Sequence, residues 1–336
     1  LYFKKLAWSG SDFAENVLAY RGATKLLGTY ITPLLDCGEK DGKVHGSFNQ
    51  AGREDFYGDG AGGTSTGRLT SSNPNLQNIP TRSYGDLSFR SAFRARPGNS
   101  FVGADLSQIE LRIMAEFSNE ASLIEAFKTG QDIHRLTASR MFGIPIDEIT
   151  REQRNLGKTL NFSTLYGASG PKIATLLYEN GTLVTVDKAN QLLESFKKGY
   201  PAIFKWTEST GNTAVASRET RTALGRRRTF VPPDYFDPDY RKKIASLKRE
   251  AANQPIQGTS AEILKIAMVE VSNRIKKLGG HLVFSVHDEL IAEVPDTNAE
   301  ATAIILKESL ESAGAQFLKI VPVLAEPTIT KYWSKE

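Results

Sequence analysis

The sequence predicts an α+β fold, in which a sheet is interrupted by a large helical insertion. Two observations lead to this class. Apolar, strand-like runs occur early, at about 99–105, and late, at about 282–294. Between them, glycines that follow apolar-periodic stretches mark the ends of successive helices, at positions 130, 143, 167 and 181. No internal repeat with a period of about 20–50 residues is visible, so a solenoid is not expected.

The composition excludes several classes of protein. Of 336 residues, 42 are Lys or Arg and 38 are Asp or Glu, so the formal net charge is +4, which permits a polyanionic partner without requiring one. The single cysteine, Cys37, excludes an internal disulfide framework. The sequence lacks a Walker phosphate-binding motif, which disfavours a P-loop NTPase. It also lacks a Cys/His cluster for zinc and a Gly-x-Ser-x-Gly motif typical of covalent hydrolases.

No part of the sequence indicates a membrane protein or a secreted one. No apolar run approaches the ~18–20 residues that a membrane span requires, and the first residues lack the regions of a signal peptide. We therefore expect a cytoplasmic protein that is not secreted, in the host cytoplasm if a phage encodes it. The chain does not begin with Met, so we expect it to be part of a longer protein.

Local signals define the elements in order along the chain. A helix is predicted near 11–28, and the Gly-rich stretch at 49–67 is typical of a loop. The strand at 99–105 runs directly into a helix. Thr150 and Gln153 form a capping box for a helix that starts at Arg151. The remaining elements follow in order: a hairpin at 220–231, helices at about 239–252 and 259–278, strands at 282–286 and 289–294, a helix near 297–313 and a strand near 319–325.

Two aspartates at strand ends are candidates for metal chemistry. Asp105 ends an apolar strand, where it is either the N-cap of the following helix or a metal ligand. Asp288 precedes Glu289 in the turn between two strands, where a simple hairpin tip is the alternative. The two aspartates could share Mg²⁺ ions, because Mg²⁺ prefers one or two carboxylates with water and substrate phosphates. Two ions ~3.5–4 Å apart would clamp the attacking and leaving oxygens of a phosphoryl transfer.

A helix face with two cations and two aromatic rings is the second candidate. Steps of four residues bring four side chains to one face of the helix: Arg154, Lys158, Phe162 and Tyr166. This pattern suits a nucleoside triphosphate, with the cations on the phosphates and the rings on base and sugar. A solvated basic face with two rings in the core is equally compatible with the spacing. Gly157 costs about 1 kcal/mol against Ala inside a helix, so it indicates close approach of another group, or a bend.

Polar side chains in two segments form a third candidate cluster. The segments carry Arg68, Asn75, Gln77 and Asn78 in a loop, and Asn253 and Gln257 near the start of the helix at 259. Such side chains contact DNA backbones and minor-groove acceptors, but they are also ordinary surface residues.

In this order, these residues resemble the family A DNA polymerases, the group of bacterial DNA polymerase I. The resemblance covers nearly the whole chain. It rests on five segments: residues 66–80 and 253–259, which are similar to DNA-contacting segments of the family, and 105–112, 154–167 and 286–289, which resemble its motifs A, B and C. The resemblance implies a template-directed DNA polymerase that adds deoxynucleoside triphosphates to a primer 3′-hydroxyl by two-metal-ion phosphoryl transfer.

The family fold implied is a right hand, with an antiparallel-sheet palm and a large helical fingers insertion. The expected domains are a thumb remnant at 1–30, a palm in two parts at 31–118 and 254–336, and fingers at 119–253. We expect most of the thumb, and any proofreading or 5′-nuclease domain, to be absent from this chain. The implied partners are a primed DNA template and deoxynucleoside triphosphates, with no membrane, and the chain is expected to be a monomer.

The resemblance also implies roles for individual residues. Asp105, the Leu106 backbone and Asp288 would hold two Mg²⁺ ions, which Mn²⁺ could replace, and Glu289 would support them. The nucleotide would contact Arg154, Lys158, Phe162, Tyr166, His134, Gln108 and Glu110. Among these, Glu110 would exclude a 2′-hydroxyl, and Phe at position 162 implies discrimination against dideoxynucleotides. Primer and template would contact Arg68, Asn75, Gln77, Asn78, Arg249, Asn253, Gln257 and His287.

The chain departs from the family pattern at three places, and two other functions stay open. Leu106 stands where the family commonly has Tyr, Ser285 stands where it commonly has Gln, and residues 51–63 are an insertion, expected to be a mobile loop near the DNA. A chain without most of the thumb could be a non-catalytic template–primer binding fragment. A single-subunit RNA polymerase is the third interpretation, and Glu110 argues against it.

Overall fold

The fold is described from a computed structural model, which covers residues 2–38, 41–50, 63–81 and 88–334. The chain forms two compact units. The smaller one comprises Leu1–Thr64, Leu69–Phe93 and Tyr332–Ser334. The larger one comprises Ser65–Arg68, Arg94–Lys331 and Lys335–Glu336. Residues 51–62 of the predicted insertion lie outside the described residues. None of the helices in the described ranges combines the length and apolar character that a membrane span requires.

The smaller unit is mainly helical at its start. Its elements are α1 (Tyr2–Trp8), α2 (Asp12–Leu26), a π-helical turn (Leu27–Ile31), α3 (Thr32–Gly38), and the antiparallel pair β1 (Ser47–Asn49) and β2 (Thr70–Ser72). The predicted helix near 11–28 is confirmed. It begins where the Ser11 side chain accepts a hydrogen bond from the backbone N–H of Ala14, because a side-chain acceptor satisfies one of the N–H groups that a helix start leaves open.

The larger unit is built on a four-stranded antiparallel sheet with the order β6-β7-β3-β8. The strands are β3 (Asn99–Leu106), β6 (His281–Val286), β7 (Glu289–Pro295) and β8 (Ala325–Thr330). The apolar side chains of β3 are buried, and α12 (Ala299–Ala315) packs against the sheet. The predicted early strand and the late hairpin are therefore confirmed, and so is the α+β class.

The last strand is not where the sequence analysis placed it. Residues 319–325 were expected to be a strand, but β8 starts only at Ala325. The Glu116 carboxylate accepts the backbone N–H groups of residues 319, 320 and 321 at 2.9–3.2 Å, which satisfies these donors without a strand partner. β8 contains Pro327, and it can do so because it lies at the edge of the sheet.

Seven helices of the larger unit lie between β3 and a small hairpin. They are α4 (Ile109–Ser118), α5 (Ala121–Lys128), α6 (Ile133–Phe142), α7 (Arg151–Leu165), α8 (Gly170–Glu179), α9 (Val186–Gly199) and α10 (Pro201–Ser217). Their apolar faces join the sheet in one hydrophobic cluster. The hairpin consists of β4 (Glu219–Arg221) and β5 (Arg227–Thr229), as predicted.

The two helices predicted at 239–252 and 259–278 are in fact one helix, α11 (Tyr240–Ile275), with Pro255 inside it. A proline removes one helical hydrogen bond and normally ends or kinks a helix. Here the helix around Pro255 is buried, and the neighbouring Gln254 donates its side-chain N–H to the Ser65 carbonyl oxygen at 3.2 Å. Tertiary packing thus outweighs the local signal, and Asn253 and Gln257 lie within a continuous helix rather than at the start of one.

Candidate active site

The first part of the site is a group of carboxylates at one end of the sheet, where β3 stops and the β6–β7 turn begins. The antiparallel register pairs Asp105 with Glu289. The backbone N–H of Leu106 donates to the Asp288 carbonyl oxygen at 3.2 Å. Paired residues of an antiparallel ladder have Cα atoms about 4.5–5.5 Å apart. The strand pairing itself therefore brings together Asp105, Asp288 and Glu289, which we call the carboxylate edge.

Asp105 is not the cap of the following helix, so that interpretation was wrong. α4 begins at Ile109, and its N-cap is Gln108, which adopts a left-handed conformation (φ 52°) and makes no side-chain cap hydrogen bond. The Oε1 atom of Gln108 is buried, and no hydrogen-bond partner for it exists among the residues that the structure describes. Gln108 thus lies three residues after Asp105 with a polar atom that faces the protein interior.

The carboxylate edge is suited to a Mg²⁺ ion that keeps water and phosphate ligands, and not to a metal ion coordinated by protein side chains alone. Within the described ranges, no group of three or more His, Cys, Asp or Glu side chains is arranged to hold a metal ion. Asp105 and Asp288 are partly exposed, whereas Glu289 is buried, with Oε1 3.4 Å from the position of a Cβ on Gly103. Two accessible carboxylates and the Leu106 carbonyl are a donor set that Mg²⁺ completes with water and phosphate oxygens.

The second part of the site is one face of α7, formed by Arg154, Lys158 and Phe162 and called here the α7 face. The helix starts with the predicted capping box, in which Thr150 and Gln153 exchange side-chain to backbone hydrogen bonds of 2.9 and 3.2 Å. The helix ends at residue 165, so the fourth predicted member of the face, Tyr166, lies just beyond it with φ −94°. The capping box is thus confirmed, and the predicted four-residue face is shortened to three.

Gly157 lets α6 and α7 approach closely. A Cβ at this position would overlap the His134 carbonyl oxygen and would lie 3.1 Å from the Ala138 backbone nitrogen. The interpretation of Gly157 as a site of close approach is therefore confirmed, and it explains how His134 on α6 comes to lie beside Phe162, with ring centroids 5.8 Å apart.

His134 is a buried and neutral imidazole. Only 5% of its surface is exposed. Burial, together with the charge of Arg154, lowers the pKa of His134 to about 4. Thr137 donates to the Asn161 side-chain oxygen at 2.9 Å, so the Asn161 amide nitrogen faces His134 Nδ1 at 3.0 Å and donates to it. This assignment places the imidazole proton on Nε2.

Arg154 is held by a residue that the sequence analysis did not select. Its Nε donates to Asp132 Oδ2 at 2.6 Å. The other oxygen of Asp132 accepts the backbone N–H groups of His134 and Arg135 at 2.9 and 3.1 Å, which makes Asp132 the N-cap of α6. An Asp directly before an apolar-periodic stretch is a recognisable cap signal, but nothing in the sequence indicates its pairing with Arg154. Lys158, in contrast, is exposed.

Glu110 joins three separate segments of the chain. The residue is 9% exposed, with Arg68 Nη2 donating to Oε1 and the Tyr166 hydroxyl donating to Oε2 at 2.6 Å. Burial and the neighbouring carboxylate raise the pKa of Tyr166 above its ordinary value, so the phenol stays protonated and can donate. We call Arg68, Glu110 and Tyr166 the Glu110 network. It places members of three predicted motifs within hydrogen-bonding distance.

One face of α11 carries the next predicted residues. Arg249, Asn253 and Gln257 are four residues apart on this helix, and Arg249 is exposed. The Arg249 side chain packs against Gly167, where a Cβ would lie 2.7 Å from its Cδ. A cavity of about 420 Å³ is lined by Tyr166, Lys172 and Arg249 among others. Arg249 on α11 and the end of α7 thus border a common space.

The remaining predicted DNA contacts lie elsewhere. Asn75, Gln77 and Asn78 belong to the smaller unit, where Asn75 Oδ1 accepts the Gln77 N–H at 3.0 Å and caps a 3₁₀ turn (Leu76–Asn78). Asn75 and Asn78 are exposed. His287 is exposed in the β6–β7 turn, with a left-handed φ of 55°. These side chains are accessible to a partner.

Comparison with known proteins identifies the family. The model of DNA polymerase family A matches residues 2–335. The chain is 37% identical over 324 residues to DNA polymerase I, thermostable, of Thermus aquaticus, covering 95% of this chain and 36% of that protein. It is 38% identical over 325 residues to DNA polymerase I of Chloroflexus aurantiacus, covering 96% of this chain and 32% of that protein.

A solved structure shows the same fold. The POL domain of Pol1 from M. smegmatis, in complex with DNA primer-template and dNTP, is similar with a TM-score of 0.84 and 34% identity, over 98% of this chain and 54% of that one. The chain spans about a third of the length of the curated relatives it matches (36% and 32%). Because the family model matches nearly every residue, the chain belongs to DNA polymerase family A and corresponds to its polymerase domain.

Proposed function

We propose that the chain catalyses template-directed addition of deoxynucleoside triphosphates to a primer 3′-hydroxyl, with two Mg²⁺ ions. The observation that carries the proposal is the register of β3 with the β6–β7 hairpin, which brings Asp105 and Asp288 to the same end of the sheet. The M. smegmatis structure contains a DNA primer-template and dNTP, and these are the substrates that we extend to this chain. The predicted domain boundaries and the monomeric state belong to this proposal.

The carboxylate edge would hold the metal ions. Asp105, Asp288 and the Leu106 carbonyl are the proposed ligands, and the buried Glu289 supports them from the paired strand. When bound, Mg²⁺, or Mn²⁺ in its place, would favour ionisation of the 3′-hydroxyl and stabilise the charge of the leaving pyrophosphate. The strand ladder keeps the ligands at fixed separation, which is what a reaction of this class requires.

The α7 face binds the triphosphate in this proposal. Arg154 is oriented through its Nε contact with Asp132, and its terminal Nη groups supply the donors for phosphate oxygens. Lys158 adds a second positive charge one turn along the helix. His134 contributes a neutral Nε2–H donor, and Phe162, which is 36% exposed, offers its ring to the incoming sugar.

The Glu110 network selects the sugar. Both oxygens of Glu110 are bonded, so the carboxylate cannot turn aside to admit a 2′-hydroxyl. Ribonucleotides are therefore expected to bind less well in the reactive position than deoxyribonucleotides. Primer and template would contact eight residues: Arg68, Asn75, Gln77, Asn78, Arg249, Asn253, Gln257 and His287.

Primer extension tests the proposal directly. The purified chain is incubated with primed DNA, Mg²⁺ and either deoxy- or ribonucleotides, alongside Asp288→Ala. The matched control is Asp147→Ala, which removes an exposed carboxylate from the segment between α6 and α7. Extension with deoxynucleotides only, lost in Asp288→Ala and kept in Asp147→Ala, is expected. A folded chain that binds primed DNA in a salt-dependent manner without extending it would contradict the proposal and identify a template–primer binding fragment.

A further inference from the structure

We propose that Glu262 is a positioning residue for sugar selection, a role that rests on the proposed function of the Glu110 network. Glu262 lies on α11 and is 6% exposed. It contacts neither Glu110 nor Tyr166 in any described interaction, and it acts through the tip of the β4–β5 hairpin. The steps of the connection are Glu262, the hairpin tip, Arg226, Gly67 and Arg68.

The first step is the bond between Glu262 and the hairpin tip. The Thr222 hydroxyl donates to Glu262 Oε1 at 2.5 Å, and the backbone N–H of Leu224 donates to Oε2 at 3.2 Å. One turn earlier on the helix, Thr259 Oγ1 accepts the backbone N–H of Ala223 at 3.1 Å. Three successive residues of the tip are thus fastened to α11, with the buried carboxylate providing two of the three contacts.

The second step fixes Arg226. Its backbone N–H donates to the Thr222 hydroxyl oxygen at 3.0 Å, and its Nε lies 3.7 Å from Glu262 Oε1. The same carboxylate therefore orients both ends of this arginine, directly through charge and indirectly through Thr222. This charge contact is longer than a hydrogen bond, and the Arg226 side chain is 43% exposed, so it favours guanidinium positions near Glu262 without fixing a single one.

The third step carries the position of Arg226 to the Glu110 network. The Arg226 guanidinium packs on Gly67, where a Cβ would lie 2.8 Å from Cζ and from Nε. Gly67 has φ +80°, a conformation that favours glycine, and it directly precedes Arg68. The guanidinium of Arg226 therefore covers the backbone that sets the direction of the Arg68 side chain, whose Nη2 holds Glu110.

The fourth observation is that α11 itself contacts the same short segment. Gln254 donates to the Ser65 carbonyl oxygen at 3.2 Å, and a Cβ on Gly258 would lie 3.3 Å from the Thr66 carbonyl oxygen. Residues 65–67 thus contact both the helix and Arg226. Loss of the Glu262 charge would loosen the Arg226 contact and leave the α11 contacts in place, so the chain is expected to keep its fold while Arg68 gains freedom.

The test compares sugar selection in four proteins. They are the wild type, Glu262→Gln, Arg226→Ala and a matched control, Glu270→Gln, which removes an ion pair with Arg274 on the same helix. Single-nucleotide incorporation is measured with deoxy- and ribonucleotides, and melting temperatures are recorded. The ratio of ribo- to deoxynucleotide kcat/KM is expected to rise about 10-fold in Glu262→Gln and in Arg226→Ala, in line with loss of one charged contact, and to stay unchanged in Glu270→Gln.

A double variant separates positioning from simple destabilisation. In a Glu110→Ala background the same Glu262→Gln change is expected to leave the ratio unaltered, because the proposed connection reaches the sugar through Glu110. An unchanged ratio in both Glu262→Gln and Arg226→Ala would overturn the inference, as would an equal rise with and without Glu110. A wild-type chain that incorporates no nucleotide would instead refute the proposed function, so the two failures are distinguishable. Arg226→Ala alters an accessible side chain, and it keeps the test available if Glu262→Gln does not fold.

Discussion

The carboxylate edge and the α7 face are built by different means. At the edge, every residue of β3 from Asn99 to Asp105 is paired with β7, and Leu106 is bonded to the Asp288 carbonyl. On the α7 face, the side chains project from a single helix, and Lys158 and Phe162 are exposed. The carboxylate edge is held by strand pairing on both sides of β3, with buried β7 on one side and largely exposed β8 on the other. The α7 face is held by one cap and by packing on α6.

The difference indicates how the two tasks are divided. Reacting atoms require fixed separation, and a central strand supplies it. A triphosphate is flexible and highly charged, so accessible cations on one helix face suffice to bind it. We therefore expect substitutions at the carboxylate edge to abolish the reaction. Substitutions on the α7 face should weaken nucleotide binding, and substitutions where α7 packs on α6 should lower stability, both by smaller amounts.

The largest effect is expected at the edge itself. Asp105→Asn and Asp288→Asn each keep the side-chain shape and remove a negative charge, so the incorporation rate should fall by at least about 10³-fold. Rapid-quench measurement of single-nucleotide incorporation would show this, with DNA affinity measured by anisotropy in parallel. Asp147→Asn, an exposed control, should behave as the wild type. Activity within 10-fold of the wild type in both Asp105→Asn and Asp288→Asn would contradict the assignment of the chemistry to the carboxylate edge.

A smaller effect is expected on the α7 face. Lys158→Ala removes one charged contact to phosphate, so kcat/KM for the nucleotide should fall about 10–100-fold. Lys188→Ala provides a matched control, because Lys188 is an exposed lysine on α9. Steady-state kinetics with varied nucleotide concentration would measure both. Equal behaviour of the two variants would show that the face is merely a solvated basic surface.

Stability should respond to the contact beneath the face. Gly157→Ala gains helix propensity, but its Cβ would overlap the His134 carbonyl oxygen, so we expect a net loss of about 2 kcal/mol in the free energy of unfolding. Urea titration would measure it. At Gly181 there is open space for a Cβ, but the backbone has a positive φ. The loss of stability in Gly181→Ala therefore measures the cost of backbone strain alone. A Gly157→Ala variant as stable as the wild type would contradict the close packing of α6 and α7.

The smallest effect is a dependence of stability on pH. Burial lowers the pKa of His134 to about 4 in the folded chain, below the ordinary value of 6.5. The unfolded chain therefore binds more protons between these values, and stability falls as the pH drops below about 6.5. Relative to a His134→Gln variant, the wild type should lose about 1 kcal/mol between pH 7.5 and 5.5. Parallel pH profiles of the two proteins would exclude a buried, neutral His134.

Local signals were sufficient for much of the fold. The capping box at Thr150, the β6–β7 hairpin and the strand before Asp105 depend on neighbouring residues, and all three could be predicted. The continuous helix through Pro255 and the late start of β8 could not. They depend on Ser65 and Glu116, which are 189 and 203–205 residues away in the sequence from their hydrogen-bond partners.

In the site, too, local patterns could be predicted and long-range contacts could not. Family motifs indicate which side chains are candidates, but they do not state how the side chains are joined. Glu110 bonds to residues 42 and 56 positions away, and neither contact has a local pattern. Asp132 could be recognised as a cap, although not as the partner of Arg154. Glu262 carries no signal at all, because a glutamate within a helix is ordinary.

The most direct test of the division of tasks between the carboxylate edge and the α7 face is single-turnover incorporation as a function of nucleotide concentration. It yields the maximal rate and the nucleotide dissociation constant separately. The account predicts that Asp288→Asn lowers the maximal rate by at least about 10³-fold and changes the dissociation constant far less, whereas Lys158→Ala raises the dissociation constant. If Asp288→Asn acted mainly on nucleotide affinity and left the maximal rate intact, the carboxylate edge would not be the site of the chemistry.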